Sequence, residues 1–211
     1  MEKTDRKYGV YIQILKEELV PAMGCTEPIA LAYGAAKARE VLGALPDKVK
    51  IEASGSIIKN VKSVIVPNTD HLKGIPAAAT AGIIAGKADK KLEVIAEVSK
   101  EEIQKMREFM ENTEITVEHI NSGITFDIVI TVYHGDSYAK VRIANYHTNI
   151  VLVEKDGEVL ESTVVEGEKE EGLTDRSLLN VKDIVDFADS VDVEEIKEVL
   201  DRQIKYNTAI S

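Results

Sequence analysis

The sequence of 211 residues contains one cysteine, Cys25, and no tryptophan. A single cysteine excludes a disulfide bond within the chain. It is also too few to hold a zinc ion or an iron–sulfur cluster without other ligands, since such sites usually take about four. We therefore expect this chain to contribute no metal ligands and to bind no metal cofactor alone.

Positive charge is scarce as well. The 26 Lys and Arg residues face 37 Asp and Glu residues, which gives a formal net charge of -11 at pH 7. This charge repels the phosphate backbone of nucleic acids and anionic membrane surfaces, and no Lys/Arg-rich block reverses it locally. Neither nucleic acid nor a membrane is an expected partner.

Long apolar runs are absent too. No stretch reaches the roughly 20 apolar residues of a membrane-spanning helix, and residues 1–7 are charged, unlike a signal peptide. The hydrophobic fraction of 44% is nevertheless enough to fill a core. The sequence therefore predicts a soluble, cytoplasmic protein.

Several familiar catalytic motifs are missing from the sequence. It contains no Walker loop, no G-x-G-x-x-G, no H-E-x-x-H and no G-x-S-x-G. Binding of a nucleotide by a phosphate loop, zinc-protease chemistry and serine-hydrolase chemistry therefore lack support.

The spacing of apolar residues predicts helices and strands in a mixed order. The predicted helices are one stopped by Pro21, then residues 29–42 and 77–85, one opened by a Ser99–Glu102 capping box, and one capped by Asp192 and Glu195. The predicted strands are residues 48–53, 61–66, 92–98, 115–120, 125–132, 138–143 and 150–154.

The last four strands follow one another, with turn residues at 135–136 and 156–157, which is typical of an antiparallel meander. The fold class is therefore α+β: small-residue helices pack with a mixed sheet that continues into the meander, and helices follow at the C-terminal end. The acidic residues 166–172 are interpreted as a solvated loop. No stop signal ends the last helix, so we expect residues 1–211 to be the N-terminal portion of a longer protein.

Residues 24–28, "GCTEP", contain the cysteine. Pro28 suits the first turn of a helix, and Thr26 or Glu27 could cap it. A thiolate placed just before a helix would be stabilised by the unpaired N–H groups there, which lowers the thiol pKa. Glu27 could relay a proton or hold an ammonium group. The alternative is that Cys25 is a buried hydrophobic residue between two small-residue helices.

Three further polar groups are candidates for a binding site. Lys59 and Asn60 could clamp a carboxylate or form a surface turn. Asn68 and Thr69 precede a helix, where loops often bind anions, although an ordinary helix-entry turn has the same composition. The third group lies between two predicted strands and consists of His147, Thr148 and Asn149.

Several blocks of the chain resemble the L-cysteine desulfidase family, which is related to the iron–sulfur L-serine dehydratase alpha chain. These blocks are "EELVPAMGCTEPIALAYGAAKARE" (17–40), "SGSIIKNVKSVIVPNT" (54–69), "GIPAAATAGIIAG" (74–86), "HTNIV" (147–151) and "EGE" (166–168). Val61 stands where a glycine commonly follows the Lys-Asn pair. The cysteines that ligate the family's cluster lie in a C-terminal half, and none is present here.

The resemblance implies a lyase that converts L-cysteine to pyruvate, ammonia and sulfide by α,β-elimination, using a [4Fe–4S] cluster in the full-length enzyme as a Lewis acid. Cys25 would be the base, and Glu27 and Thr26 would order its surroundings. The residue pairs 59–60 and 68–69 and residues 147–149 would line the substrate pocket. The chain alone would be inactive and would need the missing half or a partner subunit.

Two alternatives stay open. One is the same elimination from L-serine, with water as the leaving group. The other is a non-catalytic domain that binds a small regulatory ligand away from an inert Cys25. Whether the protein is a homo-oligomer is also open.

Overall fold

A computed structural model describes residues 1–22, 24–165 and 174–210. The chain forms two compact units. We call the first the helical unit, made of Met1–Pro21 and Glu170–Ser211, and the second the sheet unit, made of Ala22–Lys169. Every candidate site residue belongs to the sheet unit.

The elements confirm an α+β fold with a six-stranded mixed sheet. In chain order they are α1 (Arg6–Glu18), α2 (Thr26–Leu42), β1 (Lys48–Ala53), α3 (Gly55–Val61), α4 (Gly74–Ala85), a 3₁₀ segment (Ala88–Glu93), α5 (Lys100–Asn112), β2 (Glu114–His119), β3 (Asp127–His134), β4 (Ser137–Ala144), β5 (Ile150–Lys155), β6 (Glu158–Ser162), a 3₁₀ turn (Arg176–Leu178), α6 (Val181–Ser190) and α7 (Val193–Ile210).

The sheet has the strand order β2-β1-β3-β4-β5-β6. Strands β3 to β6 are successive antiparallel neighbours, so the predicted meander is confirmed for β3, β4 and β5, and β6 adds a strand that the sequence pattern did not predict. The assignment of β2 to the meander is wrong, because β2 pairs in parallel with β1, with Lys48 opposite Glu114. The long connection between these two strands holds three helices, and a crossover of that length is what a parallel pair requires.

Helix α2 lies at the centre of the sheet unit and packs against α4 and against strands β3 and β4. Nearly every residue from Pro28 to Ala38 is buried. Alanine and glycine dominate this stretch and α4, so the two helices can approach closely. The packing of small-residue helices with the sheet, which the sequence predicts, is confirmed.

Two predicted strands are absent from the described structure. Residues 61–66 contain the end of α3 and a turn, and they contribute an isolated bridge between Ile65 and Lys73. Residues 92 and 93 end the 3₁₀ segment, and residues 94–97 follow it as turns and bends. Val94 and Ile95 are nonetheless buried. These apolar residues are buried although the backbone is irregular. Periodicity alone does not distinguish such a segment from a strand.

Helix boundaries differ from the predicted ones mainly at the starts. Helix α2 begins at Thr26 with Cys25 as its N-cap residue, so the expectation that Thr26 or Glu27 caps it is wrong. Pro28 does lie in the first turn. The Ser99–Glu102 capping box is confirmed. The predicted acidic loop at 166–172 and the "EGE" block lie outside the described residues.

The helical unit has a small aromatic core of its own. Phe187 of α6, a helix that the sequence pattern did not predict, packs edge-on against Tyr8 and Tyr11 at ring-centroid distances of 5.5 and 5.3 Å. Asp192 accepts a hydrogen bond from the backbone N–H of Glu194, which confirms its capping role. In the portion of the chain that the structure describes, no helix is both long and apolar enough to cross a bilayer.

Candidate functional site

Cys25 stands at the start of α2, as the sequence predicted. Gly24, with φ 141°, precedes it in a conformation that favours glycine, and a Cβ atom there would lie 3.1 Å from the side chain of Pro67. The turn is therefore tight and lies against the loop that follows α3. The thiol is exposed, so the alternative that Cys25 is a buried hydrophobic residue is wrong.

The thiol belongs to a cluster of side chains from three separate segments. Cys25 Sγ donates a hydrogen bond to Glu27 Oε2 at 3.1 Å, and Asn60 Nδ2, from the last turn of α3, donates to Glu27 Oε1 at 3.2 Å. His147, in the connection between β4 and β5, is close enough for its charge to interact with that of Glu27. We call Cys25, Glu27, Asn60 and His147 the thiol–carboxylate cluster.

Burial and Glu27 together set the electrostatics of the thiol. Burial and the hydrogen bond to Glu27 raise the pKa of Cys25, and the nearby carboxylate charge raises it further, although the backbone N–H of Glu27 acts the other way. The expectation of a lowered thiol pKa is therefore wrong, because the helix-end field is outweighed. The hydrogen bond from Cys25 lowers the pKa of Glu27 despite partial burial. Near neutral pH the pair is a thiol and a carboxylate.

His147 is neutral in this environment. Burial lowers its pKa, and the charge of Glu27 opposes that shift only partly. The imidazole ring lies edge-on to Phe126 at a centroid distance of 4.5 Å. Because His147 is uncharged near neutral pH, it does not neutralise the carboxylate of Glu27.

The 68–69 pair is used inside its own loop. Asn68 Nδ2 donates to the backbone oxygens of Ile95 and Ala96 at 3.0 and 3.3 Å. Thr69 is buried and donates to the backbone oxygen of Val66 at 2.8 Å. Asn68 thus holds the loop against the segment that follows the 3₁₀ helix, and Thr69 closes the loop on itself. Within the described part of the chain, no hydrogen bond joins either side chain to the thiol–carboxylate cluster.

The remaining candidates have mixed positions. Asn149 Nδ2 donates to the backbone oxygen of Ala144 at 2.9 Å and so closes the turn that carries His147. Thr26 and Thr148 are half-buried, and Lys59 is exposed. Among the described residues, these last three side chains make no hydrogen bond or ion pair, so they are free to meet a ligand.

Sequence reasoning missed the segment that positions the cluster. The backbone oxygen of Asp127 accepts from the N–H of Ser54, the N-cap residue of α3, and that of Phe126 accepts from the N–H of Asn145, both at 2.9 Å. The start of β3 thus fixes α3 and the His147 turn together. These are backbone contacts, for which side-chain patterns give no signal.

The donor set of the described residues decides whether this chain could ligate a metal. Across residues 1–22, 24–165 and 174–210, no three His, Cys, Asp or Glu side chains converge in a way that could hold a metal ion. The residues present therefore do not fit a [4Fe–4S] cluster, which usually needs about four ligands.

Fold and cluster together define an α+β protein with an exposed thiol hydrogen-bonded to a carboxylate at a helix start. Over its length the chain is similar to proteins named UPF0597 proteins. The protein of Desulfitobacterium hafniense is 61% identical over an alignment of 214 residues. This alignment covers 100% of this chain and 49% of the relative. Those of Treponema denticola and Lachnoclostridium phytofermentans are 46% and 44% identical, each over 97% of this chain and 48% and 49% of the relative.

This similarity corrects the resemblance drawn from the sequence blocks. The similar proteins are named UPF0597 proteins and not L-cysteine desulfidases, so the assignment to the L-cysteine desulfidase family is wrong. The chain spans about half the length of the curated relatives it matches. No family model matches the chain, and no solved structure matches it.

Proposed function

We propose that the chain supplies the proton-transfer part of the active site of a lyase that converts L-cysteine to pyruvate, ammonia and sulfide. The observation that carries this proposal is the hydrogen bond between Cys25 and Glu27 at an exposed helix start, with Asn60 and His147 beside it. A thiol that faces solvent and has an adjacent carboxylate is suited to proton transfer.

In the proposed reaction, the Cys25 thiol first loses its proton to solvent, and the resulting thiolate removes the α-proton of the substrate. The electron pair of the Cα–H bond becomes the second Cα–Cβ bond, and the electron pair of the Cβ–S bond leaves with sulfur as hydrosulfide. The aminoacrylate tautomerises to an imine, which water hydrolyses to pyruvate and ammonia. Cys25 then holds the proton and returns it to the hydrosulfide or to solvent.

Other residues of the chain have positioning roles in this proposal. Asn60 holds one oxygen of Glu27 and leaves the other to the thiol. Lys59, exposed on the same turn of α3, would receive the substrate carboxylate, and Thr26 and Thr148 would line the pocket. Since the donor set does not fit a [4Fe–4S] cluster, any such cofactor would depend on ligands from the rest of a longer protein, and no step here passes through it.

The test uses a chimera, because the proposed activity belongs to a protein about twice as long. The 211-residue chain replaces the matched half of the Desulfitobacterium hafniense relative, and pyruvate formation from L-cysteine and from L-serine is measured anaerobically. We expect turnover of L-cysteine and a loss of at least about 100-fold in kcat in the Cys25→Ala variant, the usual weight of a general base.

Lys62→Ala, an exposed change at the end of α3, is the matched control and should keep its activity. A folded chimera that eliminates from neither substrate, or a Cys25→Ala variant with full activity, would exclude the proposal. Turnover of L-serine without L-cysteine would keep the elimination but replace the leaving group.

A further inference from the structure

Within the described part of the chain, the carboxylate of Glu27 lacks a cationic partner. Its two side-chain hydrogen bonds come from a thiol and an amide, and His147 beside it is neutral near pH 7. Among the described residues, no Lys or Arg forms an ion pair with it. A partly buried carboxylate normally has a charged partner, because charge removed from water is costly to leave alone.

The carboxylate still has room for such a partner. An ionised carboxylate offers about four lone-pair positions, and two side chains use one each here. Both of these side chains, Cys25 and Asn60, are exposed, so a small ligand can reach Glu27 from solvent. The backbone N–H groups in the first turn of α2 supply partial positive charge, which is less than the full charge of a cationic partner.

The cation must be compatible with the cluster. An ammonium group carries one positive charge and three N–H donors, and therefore matches a carboxylate whose neighbours are a thiol, an amide and a neutral imidazole. An amino acid brings this group next to the α-carbon. The choice of an amino acid rests on the function proposed above.

We propose that Glu27 binds the ammonium group of an amino-acid ligand and that this pairing releases the Cys25 thiol for use as a base. When the ammonium group occupies Oε2, the thiol loses its acceptor and the negative charge beside it is neutralised. The S–H bond then breaks heterolytically: the electron pair stays on sulfur and the proton passes to buffer. The protein thus holds an unreactive thiol until the ligand arrives.

The ionisable groups that bear on the thiol are few in the part of the chain that the structure describes. Glu27 acts on it directly from the same helix, and His147 acts on Glu27 from the β4–β5 connection. Removal of the Glu27 charge should therefore reproduce most of the effect of the ligand.

The experiment measures the rate at which iodoacetamide alkylates Cys25 in the 211-residue chain, across a pH series at constant ionic strength. The probe is L-alanine, an amino acid without a β leaving group, and N-acetyl-L-alanine is the matched compound without an ammonium group. We expect L-alanine to lower the apparent pKa of the thiol and to speed alkylation at pH 7 by about tenfold, which corresponds to ~1 pKa unit. N-acetyl-L-alanine should do neither.

Two variants complete the test. Glu27→Gln should alkylate faster than the parent chain without any ligand and should not respond to L-alanine. Glu101→Gln removes an exposed first-turn glutamate from α5 and should behave as the parent chain.

If L-alanine leaves the apparent pKa of the Cys25 thiol unchanged, the inference is overturned, whether or not alkylation becomes slower. An effect of N-acetyl-L-alanine equal to that of L-alanine also overturns it. A Glu27→Gln variant that still responds to L-alanine also overturns it. The elimination assay is independent: no elimination with an intact L-alanine response would reject the proposed function alone, and elimination without that response would reject only this inference.

Discussion

A Cβ atom on Gly82 would lie 2.0 Å from the backbone oxygen of Ala32, so helices α4 and α2 touch backbone to backbone at this point. No side chain separates them there. Helix α2, whose N-cap residue is Cys25, is therefore located by a contact that admits glycine alone, and the position of the thiol depends on it.

The substitution Gly82→Ala should separate α2 from α4. We expect it to lower the free energy of unfolding by about 1–3 kcal/mol, the usual cost of overpacking a core, measured by urea denaturation. Gly9→Ala in α1 is the control, because no atom lies within 4 Å of its added Cβ. That control should be neutral or stabilise by about 0.5–1 kcal/mol, since alanine is the better helix former. A Gly82→Ala variant as stable as the parent chain would contradict the contact.

Asp127 is fully buried and receives two hydrogen bonds from Arg142, at 2.9 and 2.8 Å. The substitution Arg142→Ala leaves a buried carboxylate without its partner and should cost about 3–5 kcal/mol of stability in denaturant unfolding. Lys48→Ala removes an exposed ion pair with Glu114 on the same sheet and should cost less than about 1 kcal/mol. If the two substitutions lowered the free energy of unfolding equally, the burial of Asp127 would not determine how much stability is lost.

The interaction between Glu27 and His147 can be read from the imidazole titration. His147 should titrate below its ordinary value of about 6.5, because burial lowers its pKa and Glu27 offsets only part of that shift. Glu27→Gln removes the offset, so the His147 pKa should fall further, as followed by NMR of the ring C–H signals. The chain has 4 histidines, and loss of one signal in His147→Gln assigns it. If the pKa of His147 is the same in the Glu27→Gln variant as in the parent chain, the two side chains do not interact.

In the helical unit, hydrogen bonds from Thr174 lower the pKa of Glu17, with help from Arg176. A carboxyl group with a lowered folded-state pKa contributes stability above its unfolded value, near 4.3, and that stability is lost as the pH falls through the folded value. Glu17→Gln should therefore destabilise the chain at pH 7, by roughly 1 kcal/mol, and have little effect near pH 3. Thermal unfolding over a pH series measures this, with Glu198→Gln, on α7, as a control. An equal loss at both pH values would contradict the ionic contribution.

The sequence predicts those parts of the fold that depend on local chemistry. The Ser99–Glu102 capping box and the two-residue turns at 135–136 and 156–157 occur where the residue types indicate. Cys25 lies at a helix start for the same reason, since Pro28 fixes φ in the first turn and Gly24 permits the positive φ of the turn before it. Residues 61–66 and 92–98 resemble strands in sequence because some of their apolar side chains, such as Val66, Val94 and Ile95, are buried without joining the sheet.

The candidate site was predictable in its centre but not in its electrostatics. The positions of Cys25 and Glu27 two residues apart follow from the sequence, whereas the direction of the thiol pKa shift depends on how far the folded chain buries the thiol and on which way the Glu27 side chain turns. Asn60 and His147 join the cluster through a fold that the start of β3 holds together. Asn68 instead turns to the backbone of Ile95, a distant partner that no local pattern reveals.

Strand β1 pairs with β2 on one side and β3 on the other, so Lys48 meets both Glu114 and Tyr133. Both partners come much later in the chain. During synthesis on the ribosome, β1 and the apolar helix before it emerge long before either neighbouring strand exists. The sheet unit therefore closes late, after a slow search between distant segments. Until β3 has been made, α2 exposes the face that β3 and β4 will cover, and this interval is when the nascent chain most needs protection from aggregation.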